Sequence, residues 1–334
     1  MTLQCLDMEL ITNKMKKLFA ILFIAFLSVI FVYTKFIEPE KLIVKHQTLY
    51  LPNWNNKLDG LKIAVLSDLH IYYGTTNIRK LNRIVELTNE QKPDIIFLLG
   101  DYEAKTIAKT EQRQKDAVEA LKLLYAPFGV ISVLGNHDYY PEGTVKELLQ
   151  KADIKVLENK NTYIYFSGQE IKVTGLKDLW HCQGLDPKEI IGTTRKNTPI
   201  IVLAHNPDSF PEVPQNTSLT LSGHTHGGEV YLPIFGAPMV PSKYAQRYRK
   251  GYIVENNKHL YVTSGIGTLS GFRLFNPPEI VILTLQSQTQ NNKITNTKSL
   301  TGFHRNYIPL FNKIVNRLKK IPLIEQAAGK SYEN

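Results

Sequence analysis

From residue 38 onward the chain alternates short apolar runs with amphipathic stretches. Residues 61–66 (LKIAVL), 94–99 (DIIFLL) and 130–134 are close to uninterrupted in apolar character, the pattern of strands buried on both faces. Between them, 76–91 and 112–125 carry apolar positions at helical spacing, and 143–151 does so after the third run. Strands alternating with helices predict a parallel sheet covered by helices. The second half changes character. Residues 161–175 read as a hairpin turning near Ser167-Gly168, 200–204 as another buried strand, and 218–222, 229–232, 251–255, 260–264 and 279–285 as shorter strands. The sum is an α/β (α+β) fold, a four-layer αββα sandwich of two mixed β-sheets flanked by helices. Residues 38–60 read as an extended lead-in ending at the turn signal Leu58-Asp59-Gly60, so the domain proper is expected over 61–285.

The two ends behave differently. Residues 18–33 (LFAILFIAFLSVIFVY) are uncharged and almost wholly apolar. The run falls just short of the ~20 residues that span hydrocarbon. Lys16, Lys17 and Lys35 can snorkel and lengthen it, giving a transmembrane helix over 18–37 behind a short tail, 1–17. The exit, Val-Tyr-Thr-Lys-Phe, is too bulky for a signal-peptide cleavage site, so an uncleaved anchor is favoured. Met15-Lys16-Lys17 reads as a natural start for such a segment, with 1–14 as an upstream extension. Lys14, Lys16 and Lys17 cluster before the run, and together with the short tail they favour an inside N-terminus and a domain outside the cytoplasm. At the other end, 286–302 is a polar linker rich in Gln, Asn, Thr and Ser. Residues 303–334 hold a basic amphipathic helix. Leu310, Phe311, Ile314, Val315, Leu318 and Ile321 share one side, and Lys313, Arg317, Lys319 and Lys320 lie on the other. Such a helix either lies on a membrane surface or docks on the domain, and the pattern fits both.

Composition narrows the class. A 43% hydrophobic fraction excludes a disordered chain. Two distant cysteines, Cys5 and Cys182, exclude a disulfide framework and a thiolate metal site. The net charge is +10, but residues 286–334 hold eight Lys/Arg against two acids. The excess is therefore mostly in the tail, which weighs against nucleic acid and suits an anionic membrane.

The chemistry lies in five motifs in fixed order: Asp68-Leu69-His70, Gly100-Asp101, Gly135-Asn136-His137-Asp138, His205 and Gly223-His224-Thr225-His226. Each ends an apolar run, and loops at the carboxyl ends of parallel strands form the crevice of an α/β sheet. In Asp-x-His and His-x-His, an extended backbone would point alternate side chains to the same side. Hard oxygens mixed with imidazoles, without thiolate, suit Mn²⁺, Fe or Zn²⁺. So many ligands exceed the needs of one ion and suit two sharing a carboxylate, a clamp for in-line phosphoryl displacement.

The set D-x-H, GD, GNHD, H and GHxH resembles the calcineurin-like metallophosphoesterase superfamily. The stretches LDGLKIAVLSDLHI, VLGNHDYY, LAHNPD, LSGHTHGG and FNPPEIVILTL resemble its bacterial membrane-associated branch. The resemblance covers about 45–285. It implies a two-sheet sandwich and two divalent metals. One would be held by Asp68, His70, Asp101 and His226; the second by Asp101, Asn136, His205 and His224, with Asp101 bridging. A hydroxide between the metals would attack phosphorus. His137 would face the leaving oxygen, and Asp138 would orient His137. The implied activity is that of a metal-dependent phosphodiesterase or pyrophosphatase. Its substrate would be a phosphodiester or pyrophosphate, and branch members acting on lipid-linked diphosphates such as UDP-diacylglucosamine make a lipid headgroup attractive. The implied setting is the bacterial cytoplasmic membrane, with no nucleic acid and no obligate protein partner expected. The alternatives are a non-catalytic metal-binding scaffold on the same fold, which retention of His137 argues against, and a nucleic-acid phosphodiesterase, which the tail charge and the anchor argue against. The branch often has glutamine where this chain has Glu229, an acid expected to point away from the site. Residues 231–252 read as a wall over the site, with Lys243, Arg247, Arg249 and Arg273 as candidate phosphate contacts. His46, His181, His259 and His304 lack motif context and read as ordinary.

Overall fold

The computed structural model describes residues 3–289 apart from 183–185 and 195–197. The basic helix expected over 303–334, and all but the start of the 286–302 linker, lie outside the described residues. The chain enters as α1 (Leu3–Val32) and continues through a π turn (Tyr33–Ile37) and a 3₁₀ turn (Glu38–Glu40). Among the described residues this is the one helix long and apolar enough to cross a membrane. Its Phe19, Leu22, Phe23 and Phe26 are exposed, as a helix surrounded by lipid requires.

The exit of α1 is bonded to the domain rather than tethered to it. Arg273 N–H donates to Thr34 O (2.9 Å), and Asn276 N–H to Glu38 Oε1 (2.6 Å). Lys80 Nζ donates to Pro39 O (2.7 Å).

Among the described residues, twelve strands then form two six-stranded sheets. The first has the order β1 (Ile43–Leu51), β12 (Glu279–Ser287), β2 (Lys62–Leu66), β3 (Ile95–Leu98), β4 (Val130–Ser132), β5 (Lys155–Val156). The second runs β10 (Gly251–Glu255), β11 (Lys258–Val262), β9 (Leu219–Ser222), β8 (Ile200–Leu203), β7 (Gln169–Gly175), β6 (Lys160–Phe166). Both are mixed. β2, β3, β4 and β5 pair in parallel, as do β7, β8, β9 and β11; β12 runs antiparallel to β2, and β10 and β6 pair antiparallel to β11 and β7.

Alternation along each strand builds the layers. Ile63, Val65, Ile95, Phe97, Ile201 and Leu203 point between the sheets into one apolar cluster. Ala64, Leu66, Ile96 and Leu98 point the other way, under α2 (Ile78–Glu90), α4 (Glu111–Lys122) and α5 (Thr144–Lys151), where Leu81, Ile84, Ala117, Leu121 and Leu148 meet them. Both faces of the central strands are therefore apolar, which is why these runs lack polar alternation. At ~1.5–3 kcal/mol per buried aliphatic side chain, this double burial is the main stabilising term. α2 begins where Asn77 caps it, its side chain accepting from Lys80 N–H (3.0 Å). The outer face of the second sheet is covered more thinly, by α6 (Pro187–Ile191) and the 3₁₀ segment Pro207–Glu212.

Two expectations need correction. The 38–60 segment is not only a lead-in, because β1 adds an edge strand parallel to β12. The strand expected at 229–232 does not form. Val230 and Leu232 make only isolated bridges to Leu274 and Gly236, and Pro233, which has no N–H to donate, turns the chain. The short α3 (Ala104–Ile107) and the two-residue β5 were not foreseen.

Candidate dinuclear metal centre

Every motif leaves the carboxyl end of a strand. Asp68 and His70 follow β2, Asp101 follows β3, Asn136 and His137 follow β4, His205 follows β8, and His224 and His226 follow β9. Parallel pairing within each sheet puts those tips side by side, and sheet-on-sheet packing brings the two sets together at one edge of the sandwich.

The backbone there is not extended. Asp68, His70, Asp101, Glu103, His224 and His226 all take φ between 43° and 78°. This left-handed region is uncommon for residues with a side chain, at ~1–3 kcal/mol each. The Asp-x-His and His-x-His spacings thus work through paired left-handed turns, not through strand alternation.

Backbone bonds hold the strain in place. Asp68 N–H donates to Gly100 O, His70 N–H to Asp101 O and Ile71 N–H to Tyr102 O, each at 2.9 Å. The Asp138 carboxylate accepts from the N–H groups of Gly135 (2.8 Å), Asp101 (2.8 Å), Tyr102 (2.7 Å) and Glu103 (3.2 Å). The glycines of the motifs permit the approach. A Cβ on Gly100 would strike the Gly135 backbone, one on Gly135 the Asp101 carboxylate, and one on Gly223 the Ser67 hydroxyl.

Two groups of ligand atoms result. In the first, His226 Nε2 lies 3.4 Å from Asp68 Oδ1 and 3.3 Å from His70 Nε2, and His70 Nε2 lies 3.6 Å from Asp101 Oδ2. In the second, His205 Nε2 lies 3.2 Å from the same Asp101 Oδ2 and 3.2 Å from His224 Nδ1. All atoms within each group lie within 4.8 Å of one another. Asn136 Oδ1 is buried without a partner. Two ligands ~2.0–2.1 Å from one ion at tetrahedral or octahedral angles stand about 2.8–3.4 Å apart, close to the spacings found. Imidazole nitrogens facing each other at 3.3 Å suit a cation between them better than a hydrogen bond between like acceptors. The residues fit a pair of divalent ions sharing Asp101.

The outer contacts fix the tautomers. His205 Nδ1 donates to Leu99 O (2.7 Å), and His70 Nδ1 faces Glu103 Oε2 (2.8 Å), leaving both Nε2 lone pairs for a metal. Burial opposes charge on His205, yet adjacent Asp101 lifts it to about 10, while burial and then His205 push His224 down to about 3. The carboxylate field that draws a proton to this pair also draws a divalent cation.

His137 sits at the opening, with its side chain about one-third exposed. Burial disfavours its charge, but the hydrogen bond it donates to Glu103 and the charges of Asp101, Glu103 and Asp138 lift it to about 9. The contact to His137 Nδ1 comes from Glu103 Oε2, at 3.4 Å, the same oxygen that faces His70. Asp138 is therefore not the hydrogen-bonding orienter of His137. Its carboxylate is spent on backbone donors, and it influences His137 only through charge.

The candidate phosphate contacts fare differently. Arg273 is fully buried and donates to the carbonyls of Asn276 (2.9 Å), Ser264 (2.9 Å) and Gly267 (2.6 Å), bracing the loop behind Asp68. It faces no solvent. Arg247 forms a two-pronged pair with Glu255 (2.7 and 2.7 Å), and Lys243 Nζ lies over the Tyr244 ring. Arg249 is closer to the centre, donating to Gly227 O (2.7 Å). Glu229 does not point away. It accepts from Leu269 N–H (2.5 Å) and from Ser270, and its Oε1 lies 3.6 Å from His226 Nδ1.

Sequence reasoning missed Glu103, Trp180 and His181. Trp180 meets His224 edge-on at 5.4 Å; His181 Nε2 lies 3.2 Å from Asn136 O and its ring stacks on Tyr139. Glu103 repeats the every-other-residue spacing of the motifs, two positions after Asp101, and that signal was available.

Comparison with known proteins agrees with this geometry. The profile of the calcineurin-like phosphoesterase family matches residues 61–232. The phosphodiesterase YaeI of Escherichia coli is 34% identical over 76% of this chain and 92% of its own length. A transmembrane protein with a metallophosphoesterase domain from Danio rerio is 31% identical over 63% of this chain and 49% of its own. A UDP-2,3-diacylglucosamine pyrophosphatase of Chlamydia trachomatis is 25% identical over 75% and 92%. With the paired ligand clusters joined at Asp101 and the family profile spanning the strands that carry them, the chain belongs to the calcineurin-like phosphoesterase family and is a metal-dependent hydrolase.

Proposed function

We propose that this protein is a membrane-anchored phosphodiesterase or pyrophosphatase whose substrate is a lipid-linked phosphate or diphosphate. The observation that carries the reading is the sharing of Asp101 Oδ2 between both clusters, with the His137 imidazole, paired with Glu103, at their open side. Asp68, His70, Asp101 and His226 would hold one divalent ion, and Asp101, Asn136, His205 and His224 the other; such ions, Mn²⁺, Fe or Zn²⁺, would supply Lewis acidity and an activated water. His137 carries a proton at an exposed edge and donates it to the leaving oxygen, for which general acid catalysis supplies about 10²–10⁴-fold. Glu103 keeps that imidazole charged and turned toward the centre. A lipid-linked substrate is supported by α1 and by the relative from Chlamydia trachomatis, a UDP-2,3-diacylglucosamine pyrophosphatase. The lysines before the apolar run support an N-terminus inside and a domain outside the cytoplasm.

The test is hydrolysis of bis(p-nitrophenyl) phosphate by the full chain with added Mn²⁺, beside His137→Ala and Asp101→Ala. Release of nitrophenolate that both substitutions remove is expected, with Asp101→Ala alone losing bound metal. No hydrolysis with any divalent ion would sink the reading. A C-terminal reporter active only outside the cytoplasm tests the orientation, and a silent fusion would reverse it.

A further inference from the structure

Beside the metal centre, two loops display large apolar side chains that are mostly exposed. Ile234, Phe235 and Met239 are 77%, 68% and 80% exposed, and Phe275 is 62% exposed. They are held out rather than left loose. The turn 232–236 is closed by Leu232 N–H to Gly236 O (2.9 Å) and Gly236 N–H to Leu232 O (2.7 Å). Phe275 takes φ 52°, a strained conformation for a bulky residue that gains no packing from it. Soluble surfaces rarely keep such a set together without a use.

Both loops are wired to the exit of α1. The Phe272 ring lies 5.7 Å from that of Phe31, and Lys35 Nζ lies over it at 4.4 Å. Arg273 N–H bonds Thr34 O, Leu274 N–H bonds Glu229 O (3.1 Å), and Tyr231 N–H bonds Leu274 O (2.9 Å), three residues before Ile234. The exit itself carries the marks of a membrane–water boundary. Lys35 follows the apolar run, and Lys41 Nζ reaches Tyr33 Oη (3.2 Å) and sits over its ring. Segments bonded to residues 31–38 share the depth at which those lysines and Tyr33 settle.

We propose that the 232–239 and 269–275 loops dip into the lipid leaflet that α1 leaves, forming a second membrane contact that holds the mouth of the metal centre at headgroup height. The occupant of this apolar surface is the bilayer: it is continuous with the anchor, and Lys35 and Lys41 beside it complement anionic headgroups. The centre is one bond away. Asn276 Nδ2 donates to His226 O (2.7 Å), and Glu229 joins the 269–270 turn to His226. The inference rests on the membrane-anchored reading and gives it a geometry.

The test places a tryptophan at Phe235 in the full-length protein. The protein is reconstituted into vesicles of equal parts phosphatidylcholine and phosphatidylglycerol, and emission is compared with acyl-brominated phosphatidylcholine. Wild type supplies the background of Trp54 and Trp180. Tyr165→Trp, exposed on β6 at the opposite edge of the second sheet from β10, is the aqueous control. Phe235→Trp emission is expected to fall by roughly half or more, as for a side chain buried below the headgroups, and Tyr165→Trp emission to stay unchanged. Met239→Trp is expected to repeat the result and serves if Phe235→Trp loses its hydrolysis of bis(p-nitrophenyl) phosphate. Protein that floats with the vesicles while both loop tryptophans stay as bright as the control would overturn the loop contact and leave the anchor standing. Protein that does not float would overturn the anchor and the loop contact together.

Discussion

The two halves of the metal centre are built differently. The half on the first sheet, at the tips of β2, β3 and β4, supplies both carboxylates, His70 and Asn136. It is cross-linked on its own, by the four N–H groups that converge on Asp138 and the bonds between the loops after β2 and β3. The half on the second sheet supplies His205, His224 and His226 and leans on the first. His205 Nδ1 bonds Leu99 O, and His224 N–H bonds the Asp68 carboxylate (3.1 Å). One half is a preformed strained frame; the other takes its orientation from that frame. The centre therefore exists only when the inter-sheet core has packed, and damage to the first half should spread further than damage to the second.

The largest effect is expected from Asp138→Ala, which strands four buried donors and releases the left-handed turns at Asp101 and Glu103. A loss of about 3–5 kcal/mol in urea unfolding is expected, with metal content falling as well. A variant unfolding at the wild-type midpoint would mean that the frame does not depend on Asp138. Next, His137→Ala should lower kcat by about 10²–10⁴-fold while bound metal and unfolding midpoint stay at wild-type values; loss of metal would make His137 part of the frame. Glu103→Gln comes third. About 10–100-fold in metal affinity or activity is expected, since one oxygen serves both His70 and His137.

Glu103 also carries a pH signature. Burial opposes its charge, but the bonds to His137 and His70 outweigh that and hold it at about 2, against 4.5 for a free glutamate. A carboxylate with a depressed pKa adds stability above the unfolded value, and that stability is lost as pH falls from about 4.5 toward 2. Wild type should weaken across that window relative to Glu103→Gln, and parallel acid titrations would remove the effect. Smallest is Arg247→Ala. Its pair with Glu255 lies in solvent on the wall of the second half, so a change of at most about 1 kcal/mol is expected, with hydrolysis unaltered.

Much of the first-sheet half was legible because its ligands sit where apolar runs stop, and a run's end marks a strand tip in any α/β sheet. The grouping of Asp68, His70, Asp101 and the three histidines followed from that rule. What was not legible depends on direction rather than position. Nothing along the chain shows that Asp138 turns toward backbone donors and Glu103 toward His137, because the choice is made by left-handed residues whose φ no pattern reveals. Arg273 was expected as a candidate phosphate contact; its two terminal nitrogens donate instead to the carbonyls of Asn276, Ser264 and Gly267. Trp180 and His181 come from a segment without motif or period and reach the centre only through the tertiary fold. β1 was hidden for the opposite reason, since an edge strand lacks the continuous apolar run that marks a central one.

The juncture between α1 and the domain has a consequence for how the enzyme finds its target. Thr34 and Glu38 are hydrogen-bonded to the 273–276 loop and Pro39 to Lys80 on α2, so no slack chain separates helix from catalyst. A hydrolase on a leash sweeps a volume; with α1 set in a bilayer, as proposed above, this one would patrol a plane. Encounters would then be governed by lateral diffusion and surface density rather than by bulk concentration. Inserting a few glycines between Val32 and Thr34, ahead of the bonded residues, should convert one search into the other.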